Sequence, residues 1–119
     1  MKRDFDLLRI FLREIENLPP NRTVTAFECD GIDKDTIVAH AILLFDAGLV
    51  KGTTRYPLKG SPQFKITGLT WAGHDFLAVA KNDTIWDKAK KSVLAPAAGA
   101  TWAVVLEWMK AESLKSFGL

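Results

Sequence analysis

The sequence predicts an α+β domain: helix, short strand, helix, β-hairpin, then further helices. Three observations predict it. Apolar residues recur at helical spacing in the first and second segments of the chain. Two β-branched runs, either side of a Pro- and Gly-rich loop, read as a hairpin. Helix caps and stops stand where each period changes.

Asp4 caps a first helix that runs to about Asn17. Leu7, Leu8, Phe11, Ile15 and Leu18 form one apolar stripe, and Arg9, Arg13, Glu14 and Glu16 fall off it. Pro19-Pro20-Asn21 ends the helix. Thr23 to Phe27 is β-branched and alternating, so a short strand is expected there. Glu28 to Asp35 is a turn-rich acidic connector containing Gly31. A second helix starts at Asp33 or Asp35 and runs to Ala47, where Gly48 supplies a left-handed stop.

Leu49 to Arg55 is the first hairpin strand and Gln63 to Leu69 the second. Tyr56 to Pro62, with two prolines and Gly60, is the loop between them. Thr70 caps a third helix to about Lys81. Asn82 or Asp83 caps a fourth, Thr84 to about Val93. After an Ala/Pro/Gly linker, Thr101 caps a fifth, Trp102 to about Ser116. This divides the chain into residues 1–94, with residues 95–119 as a linker and C-terminal helix packed on the same domain or on a dimer partner.

Composition allows this reading and excludes others. The chain has 119 residues, 48% hydrophobic and 25% charged. That suits one globular domain and excludes disordered, collagen-like and disulfide-scaffold classes. A formal net charge of +2 gives no strong general attraction to nucleic acid or lipid. Cys29 is the only cysteine, so no intrachain disulfide can form, and a reducing, cytoplasmic location is expected. The charged N-terminus does not resemble a signal peptide. No apolar run reaches the roughly 18 residues of a membrane span.

Two motifs carry a resemblance. His40-Ala41-Ile42-Leu43-Leu44-Phe45-Asp46-Ala47-Gly48-Leu49-Val50 resembles the end of a winged-helix recognition helix entering its first wing strand. Leu69-Thr70-Trp71-Ala72-Gly73-His74-Asp75-Phe76-Leu77 is similar to the second wing strand handing over to the next helix. With the Met-Lys-Arg-Asp opening and Asn82-Asp83-Thr84-Ile85-Trp86, the chain resembles an uncharacterised bacterial and prophage family, domain of unknown function twenty-five-thirteen. The likeness covers about Met1 to Trp108. It implies a winged-helix-like domain with additional C-terminal helices and a bacterial or phage origin. It implies no activity and no catalytic residues.

A DNA-reading winged helix presents polar and basic side chains on its recognition helix. Here Val38, Ala39, Ile42, Leu43 and Phe45 take the outward positions, and all are apolar. Such a helix is expected to be covered on nearly all sides. Four acids against one lysine in Glu28–Asp35 would also repel phosphate near its start. The wing differs. From Ala47 to His74 the basic residues are Lys51, Arg55, Lys59 and Lys65, and no acid occurs. With the hydroxyls of Thr53 and Thr54, these residues are the candidate nucleic-acid contacts. An ordinary solvated hairpin whose charges blunt a sheet edge is the other reading.

Val38, Ile42, Leu43 and Phe45, with Trp102, Val105, Trp108 and Met109, are the candidate protein interface, for a homodimer or another protein. Core packing is the other reading of the four tryptophans, Trp71, Trp86, Trp102 and Trp108. His40 is expected to be a hydrogen-bonded helix residue. One cysteine and two distant histidines lack zinc-site spacing, and Asp30, Asp33 and Asp35 lack a calcium-loop pattern. No phosphate loop or nucleophile elbow appears, so no metal, cofactor, small-molecule substrate or enzymatic activity is expected. Two functions follow. One is a small regulatory protein that binds DNA through its wing. The other is a protein-interaction module that keeps the shape without binding DNA.

Overall fold

The computed structural model describes residues 1–92, 94 and 102–116. It is an α+β chain. In order come α1 (Phe5–Glu16), α2 (Lys34–Asp46), β1 (Val50–Arg55), β2 (Gln63–Leu69), α3 (Trp71–Ala80), α4 (Asp83–Ser92) and α5 (Trp102–Ser116). Contacts group the chain into two compact units, Met1–His74 and Asp75–Leu119. The sequence reading placed its division at residue 94, beside a linker that lies outside the described residues.

In the first unit, Asp4 caps α1 by accepting the Leu7 N–H at 3.1 Å. The helix buries Leu7, Leu8, Phe11, Leu12 and Ile15. Leu12 widens the expected stripe, and Leu18, beyond the helix end, is half-buried. Asp33 caps α2: one carboxylate oxygen accepts the Thr36 N–H at 3.1 Å and the other the Thr36 hydroxyl at 2.7 Å. Ile37, His40, Ala41 and Leu44 form its buried face. Gly48, at φ 71°, turns the chain out of α2. Its N–H donates to the Phe45 carbonyl and the Leu49 N–H to that of Leu44, both at 3.0 Å.

The expected strand over Thr23–Phe27 shortens to a single bridge. Val24 and Ile66 exchange N–H···O bonds of 2.9 and 2.8 Å, and regular pairing stops there. The reason is parity. Val24 and Phe27 are three residues apart, so a regular strand would point them to opposite faces. Leaving the ladder after Val24 lets Phe27 reach the core. There it stacks on Phe11, with centroids 4.0 Å apart, and on Phe64, at 5.6 Å.

β1 and β2 pair antiparallel, with a register shift at Lys51/Gly52 that leaves Thr67 as the extra residue. Gly52 sits at φ 146°, and a methyl group there would overlap the Lys65 carbonyl. At the end of the hairpin, Thr70 is fixed to the α2 exit. Its N–H donates to the Leu49 carbonyl at 3.0 Å, its hydroxyl donates to the Gly48 carbonyl at 2.6 Å, and its oxygen accepts the Gly73 N–H at 3.0 Å. A Cβ on Gly73 would meet the Leu49 carbonyl.

In the second unit, Asn82 caps α4 by accepting the Ile85 N–H at 3.0 Å. α4 buries Ile85, Trp86 and Ala89, and the Trp86 ring meets Phe76 edge-on, with centroids 6.3 Å apart. α5 packs on α4 and buries Val105 and Met109; Lys88 and Glu112 pair across the two helices at 3.8 Å. The expected Thr101 cap and the residues 95–100 lie outside the described residues. Among the described residues, no helix is long and apolar enough to cross a membrane.

Candidate nucleic-acid interface

The hairpin places every candidate contact in water. Lys51, Thr53, Thr54, Arg55, Lys59 and Lys65 are all exposed. The register sorts them by face. Thr53 lies opposite Lys65, and Arg55 opposite Gln63, so these four share one face of the two-stranded sheet. Thr54 pairs with buried Phe64 on the other face. Lys51 stands across the bulge, opposite Gly68, and its carbonyl accepts the Thr67 hydroxyl at 3.3 Å. One face therefore carries two cations, an amide and a hydroxyl, without a carboxylate. A shallow depression of about 170 Å³ lies at this part of the hairpin, lined by Thr53, Thr54, Arg55, Gln63, Phe64 and Lys65 from both registers.

The loop exposes Tyr56, whose hydroxyl the sequence offers beside those of Thr53 and Thr54 as a backbone contact, and adds Leu58, which sequence reasoning did not single out. Tyr56 is 65% exposed and Leu58 is 106% exposed, as open as a side chain can be. The signal was present: an apolar residue in a proline- and glycine-rich loop, between Arg55 and Lys59, belongs to no buried period.

Acidic groups stand nearby, at the start of α2. The Ser61 hydroxyl donates to Asp35 Oδ1 at 3.3 Å, tying the end of the hairpin loop to the first turn of α2. The Asp33 carboxyl is held below its ordinary range, first by the Thr36 hydroxyl and then by the Thr36 N–H. Negative charge thus gathers at the α2 N-terminus, and positive charge on the exposed hairpin.

The outward face of α2 is only partly covered. Val38, Ala39, Ile42, Leu43 and Phe45 are half-buried, not enclosed on nearly all sides as expected. Val38 borders a groove of about 330 Å³ between the 25–27 segment, α2 and the 61–64 segment. The candidate interface on α5 divides. Val105 and Met109 are core residues, 1% and 0% exposed, because the face that carries them packs inward. Trp108 is half-buried, and the Trp102 side chain lies outside the described residues. Trp71 departs from core packing at 84% exposed. Gly73, Phe76, Leu77 and Ala80 make the inward stripe of α3, and Trp71 falls off it.

His40 is fully buried and hydrogen-bonded on both nitrogens. Its Nε2 accepts the Asp4 N–H at 2.8 Å, and its Nδ1–H donates to the Thr36 carbonyl at 2.8 Å. Its buried, twice-bonded ring is a structural link between α1 and α2. Among the described residues, no group of His, Cys, Asp or Glu side chains is arranged to hold a metal ion.

These features define a small α+β protein with a β-hairpin that exposes Lys51, Arg55, Lys59 and Lys65. The family model described as "Hypothetical protein (DUF2513)" matches residues 2–100, and the chain belongs to that family. A relative from Haemophilus influenzae, described as an uncharacterized protein, is 32% identical over 94 residues. The match covers 78% of this chain and 79% of that protein. No solved structure matches.

Proposed function

We propose that this is a winged-helix-like bacterial or prophage regulatory protein that binds duplex DNA through its hairpin wing. The observation that carries the reading is the wing's charge: Lys51, Arg55, Lys59 and Lys65 are exposed in a segment, Ala47 to His74, without an acid. The half-buried apolar face of α2 and the acids at its start argue against α2 as the reading element. Contact then runs mainly to phosphates, which gives weak, sequence-tolerant binding for a single chain. A dimer through α2 would double the contacts.

The test is a titration against random-sequence duplex at several salt concentrations. Neutralising up to four phosphates gives a log–log salt slope of at most about −3.6. Replacing Lys51 and Arg55 by Ala should flatten that slope by about two units and weaken all sequences alike. No binding at low salt rejects the reading. Binding that the double substitution leaves unchanged moves the site to Lys88, Lys90 and Lys91 of α4.

A second reading, a protein-interaction module without DNA binding, is favoured by the partly covered face of Val38, Ile42, Leu43 and Phe45. It stands if duplex binding is absent and the chain self-associates.

A further inference from the structure

We infer that the tip of the hairpin is a wedge: Leu58 inserts between base steps in the minor groove, flanked by Arg55 and Lys59, and kinks the duplex. The inference rests on the DNA-binding reading above and goes beyond it, since phosphate contact alone needs no apolar tip.

Leu58 is 106% exposed, and Tyr56, two residues earlier, is 65% exposed. A leucine held fully in water forgoes burial worth about tenfold or more in affinity once a partner covers it. The loop also fixes its shape. Pro57 and Pro62 restrict two backbone positions, Gly60 turns at φ 95°, and the Ser61–Asp35 hydrogen bond ties the loop's end to α2. A stiff loop loses little entropy when its tip is buried.

Charge complementarity selects the partner. Arg55 and Lys59 bracket the apolar tip, both exposed, and the segment from Ala47 to His74 holds no carboxylate. An apolar side chain between cations is the chemistry of minor-groove wedges: cations meet the groove's negative potential while the wedge parts a base step. The hydroxyls of Thr53 and Thr54 and the Gln63 amide, behind the tip, suit phosphate and sugar oxygens. They add little at a lipid surface, where one leucine and one tyrosine give a shallow anchor.

The test uses the full chain with a duplex carrying dyes at its ends and 2-aminopurine at a central TA step, at low salt. The wild type should draw the ends together, reporting a kink in the roughly 20–90° range, and should raise the 2-aminopurine fluorescence as the step unstacks. Leu58→Ala should abolish both signals and weaken binding about tenfold, with the salt slope unchanged because no charge is lost. Leu58→Phe, which can still wedge, should restore the signals. Leu58 touches no core, and circular dichroism checks that both variants fold. Wild-type binding without bending or unstacking, or L58A behaving as wild type, overturns the wedge and leaves phosphate binding by the hairpin standing. No wild-type binding at all overturns both. A parallel arm with anionic vesicles completes the test: an L58A defect confined to vesicles overturns the wedge and assigns the tip to lipid.

Discussion

The Thr70 hydroxyl donates to the Gly48 carbonyl at 2.6 Å, so the residue that caps α3 also holds the residue that ends α2. The same oxygen accepts the Gly73 N–H at 3.0 Å. One threonine therefore closes the base of the hairpin, joining the point where the chain enters β1 to the point where it leaves β2. Thr70→Val keeps the shape and removes both bonds. It should destabilise the protein by about 1–2 kcal/mol, read as a lowered urea midpoint with an unchanged m-value. Gly73→Ala should cost more, because its methyl meets the Leu49 carbonyl backbone.

His40 supplies the second prediction. Among the described residues it is the one polar residue with a buried side chain, and its ring satisfies the Asp4 N–H at the start of α1 and the Thr36 carbonyl within α2. His40→Leu fills similar space but leaves the Asp4 N–H without its acceptor. The expected loss is about 1–3 kcal/mol. Amide exchange should locate the damage: the Asp4 and Leu7 amides should lose protection before those of β1 and β2. Equal loss everywhere would show that His40 acts through packing alone.

The third prediction concerns acid stability. The Asp33 carboxyl is held below its ordinary value of 3.8 by the Thr36 hydroxyl and N–H. A depressed folded value means that folding favours the ionised form. Its contribution is fully present above the unfolded value and is lost as pH falls through the folded value. Asp33→Asn keeps a capping side chain but does not titrate. The urea midpoint of this variant should fall less steeply with acidification below the ordinary carboxylate range, while near neutral pH it stays close to wild type. An acid limb as steep as wild type would assign the pH dependence to other groups.

The elements that carried their own local chemistry were legible in the sequence. Asp4 and Thr70 cap the helices they were expected to cap, and of the two candidates at each of the other starts, Asp33 and Asn82 do so, because an N-cap needs only its own helix. Gly48 stops α2 for the same local reason. What failed depended on partners distant in sequence. The 23–27 strand gave way to the demand of Phe27 for the Phe11–Phe64 stack, which no window of five residues contains. Val105 and Met109 read as an interface because one helix alone does not reveal which apolar face its neighbour covers. The basic residues of the hairpin were visible as charge, but the face that Arg55 and Lys65 share was not. That face depends on a bulge at Gly52, which sets Thr53 opposite Lys65 and Arg55 opposite Gln63.

That bulge gives the fourth prediction. Gly52 stands at φ 146°, with the Lys65 carbonyl where a side chain would begin. Gly52→Ala must shift the register or open the pairing, at a cost of about 2 kcal/mol or more. Because the bulge sets the alternation beyond it, the substitution should also lower duplex affinity without removing a charge, and the Thr53 and Arg55 amides should lose protection. Unchanged affinity in a folded G52A protein would mean that binding does not need the ordered cationic face.

The last prediction concerns association. Val38, Ile42, Leu43 and Phe45 lie on the outward side of α2, half-buried, on a helix whose opposite side is already in the core. A half-covered row of large apolar residues is rarely left to water, and a second copy meeting it about a two-fold axis is the commonest closed arrangement. Light scattering at micromolar concentration should then give twice the 13.2 kDa chain mass. Leu43→Glu places a charge on that row without entering the core, so it should return the mass to one chain and leave the helical spectrum intact. It should also lower duplex affinity, since two hairpins no longer act on one duplex, and should reduce the salt slope towards the single-chain limit of about −3.6. A wild type that stays at one chain mass on concentration would remove the dimer and make the α2 face a half-covered part of the monomer core.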